Sequence, residues 1–219
     1  MKSRYPAWQK STVCLVIAVT TLFVSLTVAF ATDGRPYVNY GQLSAEWWEW
    51  ILEQSLTSNP NLDATGADAG NGQPRDDVFF IAGTFGGSAN RAFTVPTESA
   101  LFLPLLNNLA AVPLPAPRPK PDVNQVPQAR EINGSFIAGV TELHVMLNGQ
   151  SLVDSIVRAE SPVFKFIAPD DAILPGTWRG LSDGYWLYIP PLPPGTYVLN
   201  FGGTGNGLSV EVTDTITVQ

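Results

Sequence analysis

A chain of 219 residues that is 45% hydrophobic and only 14% charged carries enough apolar mass for a full domain core. Its formal net charge of −7 at pH 7, with no basic cluster, repels phosphate backbones and so excludes nucleic-acid binding. The 19 glycines and 19 prolines, set between apolar runs, disfavour a helical bundle and suit short strands joined by many turns.

Lys2, Arg4 and Lys10 precede an apolar run from Val13 to Leu26, and Ala29-Phe30-Ala31 follows as a small-x-small site. This pattern predicts a signal peptide over residues 1–31, with an uncleaved anchor helix as the alternative. The expected location is secreted or periplasmic, with membrane contact only through this segment before cleavage. Its loss leaves 12 − 3 = 9 Lys+Arg against 19 Asp+Glu, a net charge of 9 − 19 = −10 for residues 32–219. Cys14 leaves with it, so the expected single domain, 32–219, has no disulfide.

Residues 43–56, LSAEWWEWILEQSL, are the strongest helix signal after the leader, with Ser44 as the expected N-cap. Their apolar side chains cover an arc of about 200° at helical spacing, opposite a stripe of Glu46, Glu49 and Glu53. So wide an arc predicts a helix wedged into the fold, with Trp47 and Ile51 buried and the glutamates in solvent. Trp50, at the rim of the arc, is a candidate ligand contact. A polar loop over 57–76 follows.

Strands are predicted over 78–84, 91–95 and 100–106, with Phe85-Gly86-Gly87 as a turn or bulge. Pro104 implies an edge, a bulge or an early strand end. The proline-rich segment 112–127 reads as a polyproline II excursion or a surface loop, and 131–139 is open between helix and strand. Residues 141–147 alternate, and Asn148-Gly149 predicts a type I′ hairpin. Further strands are expected over 163–168, over 185–189 after an Asp183-Gly184 turn, over 196–202 behind a proline corner, and over 208–218. Tyr197 matches a corner tyrosine. The fold class expected is mainly β: an antiparallel β-sandwich, jelly-roll or Ig-like, with one N-terminal Trp-rich helix packed against it.

The order Glu46-Trp47-Trp48-Glu49-Trp50, Ala82-Gly83-Thr84-Phe85-Gly86-Gly87, Leu101-Phe102-Leu103-Pro104-Leu105-Leu106-Asn107, Asp183-Gly184-Tyr185-Trp186 and Pro191-Leu192-Pro193-Pro194-Gly195 resembles a family of secreted bacterial proteins without an assigned activity. The likeness spans roughly Ser44 to Phe201. It implies a secreted single domain and no particular chemistry. It also implies a cysteine pair, frequent in relatives, near Ala69 and Phe93, and this chain has neither cysteine.

Candidate chemistry is sparse. Glu46, Glu49 and Glu53 have the spacing of paired acid and base carboxyls, although a solvated helix face explains them as well. His144 is the lone histidine, and no G-x-S-x-G elbow supplies it a nucleophile. Asp63, Asp68, Asp76 and Asp77 are hard oxygen ligands that would suit calcium, but without EF-hand spacing, so no cofactor is expected. Trp178, Tyr185 and Trp186 form a second aromatic concentration that could grip a sugar or an apolar ligand, with Arg91 and Asn107 as positioning groups. The reading is a non-catalytic binding protein for a glycan or envelope component. The alternatives are a hydrolase or lyase using the helix glutamates, and a structural envelope subunit associating through edge strands. Oligomeric state is not legible.

Overall fold

The computed structural model describes residues 37–114 and 125–219. The expected signal peptide, with Cys14, and most of the proline-rich segment lie outside these residues. Over these residues the chain is mainly β, with two five-stranded sheets of mixed strand direction and two α-helices.

The tryptophan helix, α1, spans Tyr40–Leu52. It begins a turn before Ser44 because Asn39, an equally good cap, accepts the Gln42 backbone N–H at 3.1 Å. Ser44 instead lies buried within the helix, its hydroxyl donating to the Gly41 carbonyl. Trp47 and Ile51 are 1% and 0% exposed, as the centre of the apolar arc requires.

The first sheet contains β1 (Val78–Phe80), β3 (Ala100–Leu114), β8 (Gly176–Ile189) and β6 (Val157–Glu160) in that order, with β7 (Phe164–Ala168) also pairing β8. The second is ordered β2 (Gly87–Val95), β10 (Leu208–Val218), β9 (Gly195–Gly205), β4 (Val140–Leu147), β5 (Gln150–Ser151). An all-antiparallel arrangement does not hold, because β1 runs parallel to β3 and β2 parallel to β10. One core cluster joins α1 to Phe80, Phe102, Phe166 and Trp186 on one face of the first sheet. The other joins its opposite face, through Leu101, Leu103 and Leu187, to Phe201, Val212 and Ile216 of the second sheet. The layers therefore run helix, sheet, sheet.

One local expectation fails, and one strand runs longer than expected, for steric reasons. Asp183-Gly184 is not a turn; β8 runs straight through it. Gly184 stands opposite Asn107 on β3, where a Cβ would collide with the Asn107 side chain, so glycine here permits close strand pairing. Likewise Gly202 and Gly203 continue β9, since a Cβ on Gly202 would run into the Val210 carbonyl. The turn comes later, at Asn206-Gly207, with φ of 51° and 78°; Asn148-Gly149 has the same left-handed pair at 50° and 79°.

The ambiguous segment is a helix, α2, over Gln125–Ala138. Its weak Asn133-Gly134 centre is held by tertiary contacts: buried Asn133 accepts from Asn108 Nδ2 at 2.9 Å and donates to the Leu181 carbonyl at 3.0 Å. Tyr197 does turn a corner, its hydroxyl donating to the Pro193 carbonyl at 2.9 Å. The long C-terminal strand β10 lies between β2 and β9, so it is not a free edge.

Candidate ligand-binding cleft

Pro104 marks a bulge. The β3–β8 register shifts between Pro104, opposite Trp186, and Leu106, opposite Tyr185, leaving Leu105 as the extra residue. Before the shift, even-numbered Ala100 and Phe102 belong to the α1 side; after it, odd-numbered Leu109 and Ala111 do. At this irregularity a cleft of about 310 Å³ opens between α1 and β3, walled by Trp47, Trp48, Phe85, Pro104, Asn107 and Leu174 among others. Among the described residues, the tryptophan N–H groups aside, its lining has three polar side chains, Thr84, Asn107 and Asn108.

Packing fixes the tryptophan wall. Trp47 Nε1 donates to the Ile81 carbonyl at 2.8 Å, and its ring meets Trp48 and Trp186 edge-on, with centroids at 5.1 and 5.5 Å. Trp48 Nε1 and Asn107 Nδ2 are buried donors with no partner among the described residues. Apolar walls with few polar groups are the usual composition of a small-molecule site.

Phe85, 44% exposed, also lines a second hollow of about 240 Å³, together with Asn61, Asp63, Thr84, Ser88 and Arg91. The chain doubles back beyond it at Gly86 and Gly87, both at positive φ, to begin β2. Arg91 is buried, and its guanidinium donates to three main-chain carbonyls, those of Asp63, Ala82 and Gly83, at 2.6–2.8 Å. It thereby ties the 57–76 loop to the segment after β1, which ends at Phe80 and not at the expected Thr84, and which carries Thr84 and Phe85 outside any strand. Burial pulls its ionisation downward, and the charges of Asp214 and Asp63 oppose that pull.

Of the six predicted ligand contacts, Asn107 alone lines the cleft, and Arg91 lines the second hollow. Trp50 is not at an accessible rim: it is 3% exposed, because the 57–76 loop folds over it and takes its Nε1–H at the Asn71 carbonyl, 2.7 Å away. Trp186 is fully buried and stacks on Phe102 at 5.1 Å. Tyr185, the next residue on β8, packs on the opposite face of the sheet, while Trp178 stacks on Phe166 and donates to the Pro175 carbonyl. The second aromatic concentration is thus divided between two faces.

The glutamate stripe does not meet the cleft. Glu46 pairs with Arg75 at 3.2 Å, and Glu53 accepts the Ile167 backbone N–H at 3.0 Å. Only Glu53 is fully exposed; Glu46 and Glu49 are half-buried, a correction to the solvated face expected of them. Burial, then the charges of Glu53 and Glu46, push Glu49 up to about 7. Among the aspartates, Asp63 turns both oxygens onto its own loop, accepting the backbone N–H groups of Thr65, Gly66 and Asp68, which together hold its carboxyl low against the effect of burial. Asp68 accepts from Asn71, and Asp77 is engaged by Arg75. No group of three His, Cys, Asp or Glu side chains able to hold a metal occurs among the described residues. His144 lies on the outer side of β4, 3.0 Å from Glu211.

Two features were not singled out from the sequence. Phe85 becomes significant only because the turn places it between two hollows. Asp214 carried a readable signal: in LSVEVTDTITV it has the parity of Val210, Val212, Ile216 and Val218, the core-facing row. It is 0% exposed with neither oxygen hydrogen-bonded among the described residues, and burial pushes it up to about 7 despite Arg91, its neighbour in register on β2. Compared with protein-family models, curated proteins and solved structures, the chain matches none.

Proposed function

We propose that this protein is a non-catalytic binding protein of the periplasm or extracellular space, taking an apolar envelope component in the tryptophan-walled cleft. The observation that carries the reading is the wall itself. Trp47, Trp48, Pro104 and their apolar neighbours form the site, while Glu46, Glu49, Glu53 and His144 lie outside it. A glycan would need hydroxyl-matching groups along the site, and three polar side chains in a mainly apolar lining suit it poorly. Association through β10 has no free strand to use. The leader-like residues 1–31 support the location.

The test is a titration of the purified protein with the neutral apolar fluorophore N-phenyl-1-naphthylamine. Saturable binding is expected, and Leu174→Trp, which fills the cleft from a partly exposed wall position, should abolish it. No saturable binding, or binding unchanged in Leu174→Trp, overturns the reading.

A further inference from the structure

We propose that the cleft and the hollow beyond Phe85 are two halves of one site for an uncharged amphiphile: the apolar body lies against the tryptophans and a neutral polar end, such as a hydroxyl, reaches the second hollow. The proposal rests on the cleft being a binding site, and it adds the ligand's chemical class.

The two hollows share Thr84 and Phe85, so the same two residues line both. Their chemistry differs sharply. The first is walled by indole, proline and leucine; the second offers Asn61, Ser88 and Thr84 beside Asp63 and Arg91. A ligand with one apolar and one polar end matches this asymmetry, whereas a wholly apolar one would leave the second hollow wet. Phe85 is the natural saddle between them: large, apolar, 44% exposed and carried on a turn.

The charges present exclude a charged end. Each nitrogen of the Arg91 guanidinium already donates to a main-chain carbonyl, and both oxygens of Asp63 accept backbone N–H groups. These bonds leave both charges in place, but each offsets the other: an anion that meets the Arg91 guanidinium also meets the Asp63 carboxylate, and a cation that meets Asp63 also meets Arg91, so neither ion gains a net opposite charge. Burying an unpaired charge is far more costly than burying a hydroxyl that finds one partner. A neutral end able to donate and accept fits Asn61, Ser88 and Thr84.

The experiment displaces N-phenyl-1-naphthylamine with three ligands of equal chain length: decanol, decanoate and decyltrimethylammonium. Decanol is expected to compete at least about tenfold better than either ion, a difference of about 1.4 kcal/mol. Ser88→Tyr, at an exposed position that narrows the second hollow, should remove that advantage. Phe85→Ala, which removes the saddle, should weaken decanol and fluorophore together. Preference for decanoate or for decyltrimethylammonium overturns the proposal. So does a decanol advantage that survives Ser88→Tyr, and in that case the cleft remains a binding site. Failure of the fluorophore to bind removes the cleft reading itself, a distinct result.

Discussion

Asp214→Asn should make this protein more stable at neutral pH, although it removes a charge beside a buried arginine. The Asp214 carboxyl sits on the core-facing row of β10, fully buried, with neither oxygen hydrogen-bonded among the described residues, and burial raises it from 3.8 to about 7. A group whose folded pKa lies above its unfolded value contributes stability that is complete below the unfolded pKa and is lost as pH rises through the folded one. Here the loss runs from about pH 4 to about pH 7. At about 1.36 kcal/mol per pH unit, the rise from 3.8 to about 7 sets an upper bound of about 4 kcal/mol, and relaxation of the core brings the expected cost to about 2–4 kcal/mol. Asparagine has nearly the same shape and nothing to ionise. Urea denaturation followed by tryptophan fluorescence, run at about pH 5 and about pH 8, isolates the effect as variant minus wild type at each pH, because Glu49 titrates in the same window in both proteins. The variant should gain about 1–1.5 kcal/mol at the lower pH, where only the first part of the loss has occurred, and about 2–4 kcal/mol at the higher. A variant that is less stable than wild type at about pH 8 would refute the reasoning, since it would mean that the Asp214–Arg91 attraction outweighs desolvation.

Gly202→Ala should be severely destabilising, by about 3 kcal/mol or more, because the new methyl meets the Val210 carbonyl across the tight β9–β10 pairing; thermal unfolding would show it, and a change within about 0.5 kcal/mol would contradict the pairing. Tyr197→Phe removes only the hydroxyl bond to Pro193 at the corner before β9, so a loss of about 0.5–1.5 kcal/mol is expected in denaturant titration, with fluorophore binding unchanged.

Much of the β architecture was legible because it is written locally. Strict alternation in LSVEVTDTITV gave β10 its full length, and Asn148-Gly149 placed a hairpin where left-handed dihedrals are needed. The width of the tryptophan arc was enough to bury Trp47 and Ile51, since a helix apolar on so many sides must be enclosed. Tertiary structure decided the rest. Asp183-Gly184 reads locally as a turn, and only its pairing opposite Asn107 makes it strand. Asn133-Gly134 reads as a helix breaker, and only the hydrogen bonds to Asn108 and Leu181 hold it in α2. Trp50 stood at the rim of its own helix, but the 57–76 loop closed over it. The parallel pairing of β2 with β10 joins segments more than a hundred residues apart, beyond the reach of any periodicity. The cleft itself arises where a bulge at Pro104, a glycine turn at Phe85 and the side of α1 come together. Pattern fixes which face of an element is apolar; which faces meet, and where they fail to close, depends on contacts distant in the chain.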